Sequence, residues 1–206
     1  MRNFKSSLTA MAVVVALSAC SEQKVAETSV APVPETAGMD SSSSAQFDNV
    51  LLQEFKGPYG GVPAFDKMSL EDLKPALEKA MALNLEEIDA IANNDAPPTF
   101  DNVIVEMERA GAELGRVFTY YGIWSANKSS PEFREIQAEM SPILSSFFTK
   151  ITQNEKLFAR VKAVYESDEL SSLTAEEQRI AWMTYNSFAR NGATLDSESK
   201  KRYAEI

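Results

Sequence analysis

The sequence predicts an all-α protein, an antiparallel array of helices joined by short loops, and three observations carry that prediction. From residue 69 onward apolar side chains recur at spacings of three and four. Each apolar run opens on a residue suited to capping a helix N-terminus, and most end at Pro, Gly or Asn. No segment alternates apolar and polar residues over a useful strand length, and no internal repeat is present.

The elements follow in order. Ser69-Leu70-Glu71-Asp72 offers a capping box, with Pro75 near the helix start, where a missing N–H costs little. Ala76, Leu77, Ala80, Met81, Leu83, Leu85, Ile88 and Ile91 then form one stripe, stopped at Asn93-Asn94-Asp95-Ala96-Pro97-Pro98. Thr99 caps a second helix running to Trp124. Gly111, Gly115 and Gly122 interrupt it at about 1 kcal/mol each relative to Ala. These glycines suit the close approach of another helix, or a ligand-lined kink. Ser130-Pro131-Glu132 opens a third helix, in which Pro142 predicts a kink. Asn154 caps a fourth, Thr174-Ala175-Glu176-Glu177 a fifth ending at Gly192, and residues 196–206 begin a sixth.

Composition narrows the chemistry. The 206 residues are 44% hydrophobic, enough for a sizeable core. A net charge of −10 leaves no basic cluster to neutralise phosphates, which argues against nucleic acid as a partner. Histidine is absent, so the chain holds no HExxH zinc site, no Ser-His-Asp triad and no Cys-His pair. Catalysis by these residues alone would fall to carboxylates, Lys or Tyr. The acidic groups Glu86-Glu87-Asp89, Glu106/Glu108 and Glu176-Glu177 lack a second motif at ligand spacing and read as solvated helix faces. Tyr120, Tyr121 and Trp124 read as core rather than as a peptide-stacking platform.

The N-terminus reads as an address. Arg2 and Lys5 precede an apolar run from Leu8 to Leu17, too short for a stable membrane span. Leu17-Ser18-Ala19-Cys20 resembles the bacterial lipobox. On that reading residues 1–19 are a lipoprotein signal peptide and Cys20 is the lipidation site. An ordinary secretory signal is the alternative. Ser21, where Asp would favour inner-membrane retention, points to the outer membrane, so the expected location is the periplasm, lipid-anchored. Residues 20–46, polar with Pro32, Pro34 and Ser41 to Ser44, form a flexible tether. Residues 54–67, EFKGPYGGVPAFDK, interleave Phe55, Tyr59, Val62 and Phe65 with glycines and prolines. They predict a strap anchored by its aromatics and turned by its glycines.

The order of segments carries a resemblance. Phe65-Asp66-Lys67-Met68, Leu73-Lys74-Pro75-Ala76-Leu77-Glu78, Glu87-Ile88-Asp89-Ala90-Ile91, Pro98-Thr99-Phe100-Asp101-Asn102-Val103-Ile104, Asn154-Glu155-Lys156-Leu157-Phe158 and Phe188-Ala189-Arg190-Asn191-Gly192 are co-linear. Together they resemble the N-terminal region of the bacterial peptidyl-dipeptidases (dipeptidyl carboxypeptidases) of the thimet oligopeptidase family, over roughly residues 47–206. The resemblance implies a helical fold with a deep channel, and short peptides as substrates, losing dipeptides from the C-terminal end. It also implies zinc on an HExxH helix far downstream in a longer chain. With no His here, no catalytic or metal residue carries over, zinc belongs to the full-length family enzyme, and substrate-binding residues stay unassigned. Two readings stand. One is a truncated front of a lipid-anchored peptidase, inactive alone and ending inside a helix that Tyr203 and Ile206 would open. The other is a complete non-catalytic helical lipoprotein acting as a peptide-binding or scaffold module.

Overall fold

The computed structural model describes residues 47–204. Their fold is all-α, as the sequence predicts. The helices are α1 (Leu73–Ala92), α2 (Glu106–Arg109), α3 (Ala112–Asn127), α4 (Pro131–Thr152), α5 (Glu155–Tyr165), α6 (Ala175–Arg190) and α7 (Ser197–Ala204). Short 3-10 turns lie at Val50–Leu52, Leu70–Asp72 and Asp168–Ser172, and Phe100–Val105 is a π-helical turn. Among the described residues the only β pairing is one isolated bridge, Lys56 to Val62. Cys20, the signal peptide and the tether lie outside the described residues, as does Ile206.

The caps form by local chemistry. Ser69 with Asp72, Thr99 with Asn102, and Thr174 with Glu177 make reciprocal capping boxes. Ser130 and Asn154 accept the N–H groups of Phe133 and Leu157. Each cap satisfies a helix-end donor, worth about 1 kcal/mol. Helix α6 closes in a Schellman motif. Gly192, at φ +85°, donates to Ala189, and Ala193 donates to Phe188.

Helix α1 is the shared wall. Its Leu73, Leu77 and Met81 pack with Leu51, Val117, Tyr120, Phe133 and Met140 in one core. Its C-terminal Ile88 and Ile91 pack with Val103, Ile104, Leu157, Val161 and Phe188 in a second. Ile151 of α4 borders both. Each fully buried Leu or Val among these contributes about 1.5–3 kcal/mol.

Two expectations are corrected. The second predicted helix is three pieces: the π-helical turn, then α2, then α3, broken at Ala110-Gly111. Of its glycines only Gly111 meets another helix, the Asn84 side chain of α1; around Gly115 and Gly122 nothing approaches where a Cβ would stand. Helix α4 is continuous through Pro142, where the sequence predicts a kink. Pro142 and Ala138, whose carbonyl the proline leaves without a donor, are both exposed, so that carbonyl can turn to solvent.

Candidate functional site

The glycine-rich strap packs against Tyr120 of α3. Phe55 and Phe65 each meet the Tyr120 ring edge-on, with centroids 5.7 and 5.2 Å away. Tyr120 is 1% exposed, and its Oη accepts the backbone N–H of Ala64 at 2.8 Å. Arg116 donates to the carbonyl of Leu52 at 3.1 Å, and Asn49 to that of Asp72 at 2.8 Å, pinning the strap to α3 and to the start of α1. Between these anchors the chain folds back on itself. Val62 donates to Lys56 and Gly61 to Pro58. A Cβ on Gly61 would stand 2.5 Å from the Phe55 carbonyl oxygen, so only glycine closes this loop. Tyr59 at its tip is 98% exposed and left-handed at φ +59°.

Beneath the loop lies a cavity of about 280 Å³. Phe55, Val62 and Pro63 give it apolar walls, and Tyr120 lines it too. Its charged lining is balanced, Lys56 and Lys67 against Glu54 and Asp66.

A second feature is an open apolar groove of about 470 Å³ across α2, α4 and α6. Met107, Ile151, Ile180, Met183 and Phe188 line it, and Met183 is 52% exposed. Thr152 and Thr184 also line it, but each hydroxyl donates back to its own helix, at Phe148 and Ile180. Trp182 is exposed nearby in sequence, with the Arg179 guanidinium over its ring at 5.9 Å.

A third cavity, about 620 Å³, lies beside the π-helical turn and is bordered by Asn94, Asn102, Glu106 and Arg109. Most of its polar groups are already committed. Asn94 accepts from Ala96, Asn102 serves Thr99, Pro97 and Arg160, and Arg109 pairs with Glu106 at 2.8 Å. This region is a structural hub. Arg160, 8% exposed, donates to the carbonyls of Asn94 and Ala96 and to Asn102 Oδ1, tying the loop and the π-helical turn to α5.

The acidic groups do structural work that their sequence pattern hides. Glu87 accepts the N–H of Gly111 at 2.7 Å. Glu177 accepts the backbone N–H and the hydroxyl of Thr174, each at 2.8 Å, and the first of these bonds does most to hold its carboxyl below the usual range. Lys74 pairs with Glu139, whose hydrogen bond raises the lysine's pKa. Among the described residues no cluster of three or more His, Cys, Asp or Glu side chains could hold a metal ion. No described helix is long and apolar enough to cross a membrane.

Comparison with known proteins places this architecture. The family model of the neurolysin/thimet oligopeptidase N-terminal domain matches residues 75–200. Dipeptidyl carboxypeptidase of Salmonella typhimurium is 31% identical over 154 residues, covering 75% of this chain and 22% of that protein. Oligopeptidase A of Escherichia coli is 28% identical over 158 residues, 77% of this chain and 22% of that protein. The organellar oligopeptidase A of Arabidopsis thaliana is 26% identical over 161 residues, 77% of this chain and 19% of that protein. The chain thus spans about a fifth of the length of these relatives. With most of its residues matched to that domain, and the matched span helical throughout its ordered elements, the chain belongs to the neurolysin/thimet oligopeptidase family of metallopeptidases.

Proposed function

We propose that this chain is the N-terminal helical part of a zinc-dependent peptidyl-dipeptidase that removes C-terminal dipeptides from short peptides. The observation that carries the reading is the 31% identity to dipeptidyl carboxypeptidase, running through the helical array. Family members are zinc enzymes, but the residues here do not fit the metal. The chain has no His, and its described carboxylates form no ligand cluster. Its own contribution is therefore architectural. The apolar groove over Met107, Ile151, Ile180 and Met183 is the face on which further polypeptide of the relatives' length would pack. Cys20 would carry a lipid anchor and residues 20–46 the tether, placing the folded part in the periplasm at the outer membrane.

The test is to read the gene beyond codon 206, express the whole frame it encodes, and assay dipeptide release from blocked-N-terminus peptides with and without a zinc chelator. Release that the chelator abolishes supports the reading. A frame without HExxH, or one that releases no dipeptide, overturns it. Radiolabelled palmitate incorporated by the wild type and lost in Cys20→Ala would establish the anchor. Equal labelling of both would refute it.

A further inference from the structure

The cavity beneath the Lys56–Val62 loop holds a polar group that the fold does not use up. Tyr120 is buried and lines the cavity, and its hydroxyl oxygen accepts from Ala64. A phenol can donate as well as accept. Among the described residues the Tyr120 proton has no acceptor. A buried donor left unpaired is costly, and the cavity it borders is where an acceptor can reach it.

The remaining lining defines that acceptor's chemistry. Phe55, Val62 and Pro63 offer apolar contact, while two lysines and two carboxylates cancel in charge. At about 280 Å³ the space is below the usual range for a drug-sized ligand and suits one side chain with its adjoining peptide group. The mouth is held open by the fold. Phe55 and Phe65 fix the strap on Tyr120, and the Val62–Lys56 hydrogen bond closes the loop. A site held in advance loses less entropy on binding.

We propose that this cavity binds one neutral apolar residue of a peptide, with Tyr120 Oη–H donating to that residue's main-chain carbonyl. The assignment adds a peptide contact by this chain to the peptidase proposed above and rests on that reading. The two are separable, because dipeptide release is read on the whole encoded enzyme, whereas this site is read by binding to the 206-residue chain.

The experiment titrates the ¹⁵N-labelled full chain with N-acetyl-leucinamide, followed by amide resonances. The expected result is a saturable shift of Val62 and Ala64, weakened about tenfold in Tyr120→Phe, the scale of one lost hydrogen bond. Since Tyr120→Phe also removes the acceptor for Ala64, a second variant decides independently. Val62→Trp fills the mouth from a half-exposed position while leaving Tyr120 intact, and it should abolish the shift at Ala64 with helical content unchanged. No saturable shift at Val62 and Ala64, or equal shifts in wild type and both variants, would overturn the proposal. So would binding of N-acetyl-lysinamide as tight as that of the leucine probe.

Discussion

Glu87 and Gly111 join α1 to the start of α3. The Glu87 carboxylate accepts the Gly111 backbone N–H at 2.7 Å, where α3 has no side-chain cap of its own. A carboxylate at a helix N-terminus also meets the positive end of the helix dipole. Gly111 holds φ +81°, which turns the chain out of α2 and into α3.

Gly111→Ala should therefore destabilise the protein. The left-handed conformation costs a non-glycine residue about 1–2 kcal/mol. The new Cβ would also stand 2.9 Å from Asn84 Nδ2, forcing that side chain to shift. A loss of about 2 kcal/mol lowers the melting temperature of a protein this size by roughly 4–8 °C. Gly115→Ala, in open space and mid-helix, should instead stabilise by about 1 kcal/mol. Equal melting temperatures for the two variants would refute the account.

That pair also marks what the sequence makes legible. Ser69, Thr99, Ser130, Asn154, Thr174 and Gly192 are readable because each cap is completed within a few residues of chain. The break at Gly111 is not, because Glu87, which completes it, lies 24 residues away. Gly111, Gly115 and Gly122 look alike until that partner is placed. The strap shows the same division. Phe55, Tyr59 and Phe65 all read as anchors, but only Phe55 and Phe65 are, on Tyr120, while Tyr59 stands in solvent; that shared partner, and the cavity that Phe55 and Tyr120 line with Val62 and Pro63, arise only from packing.

Arg160 should resist replacement by Lys. Its guanidinium serves three acceptors at once, the carbonyls of Asn94 and Ala96 and Asn102 Oδ1. A lysine ammonium lacks the planar fork that reaches them together. Losing one or two of these charge-assisted bonds costs about 1.5–3 kcal/mol each. The expected result is a lower urea midpoint for Arg160→Lys, with an unchanged denaturant slope. A midpoint equal to wild type would show that Arg160 is not the hub of this junction.

Tyr59 is expected to lower stability where it stands. Its left-handed backbone is strained by about 1–2 kcal/mol, and its ring meets water on all sides. Tyr59→Gly removes the strain but gives the unfolded chain more freedom, offsetting about 0.5–1 kcal/mol. A net gain of up to about 1.5 kcal/mol should appear in thermal or urea unfolding. A clear loss of stability would mean that the Tyr59 ring makes a stabilising contact in solution.

The open groove makes a prediction for the 206-residue chain. Met107, Ile151, Ile180 and Met183 present apolar surface with the neighbouring hydroxyls of Thr152 and Thr184 turned back to their helices. The chain should bind a hydrophobic fluorescent dye while keeping native near-ultraviolet dichroism, which separates a surface patch from a molten globule. Ile180→Glu with Met183→Glu should remove most of that binding. Undiminished dye binding in the double variant would place the exposed apolar surface elsewhere.

Acid should loosen the start of α6. Glu177 accepts from both the N–H and the hydroxyl of Thr174, and these bonds hold its carboxyl below its ordinary range. A carboxylate whose folded pKa is depressed adds stability above its unfolded value, about 4.3 for Glu, and that stability disappears as pH falls through the folded value. Glu132, beside the Ser130 hydroxyl, and Asp196, capped by the Ser199 N–H, shift in the same direction. The melting temperature should therefore hold steady above about pH 5 and fall below about pH 4. Glu177→Gln keeps an acceptor for Thr174 but removes the titrating proton. The gap between melting temperatures near neutral and at about pH 3 should narrow in that variant, through a lower value at neutral pH. An unchanged gap would mean that the Thr174–Glu177 box contributes nothing to the acid sensitivity, leaving Glu132, Asp196 and Glu155, which pairs with Lys200 and shifts the same way, to account for it.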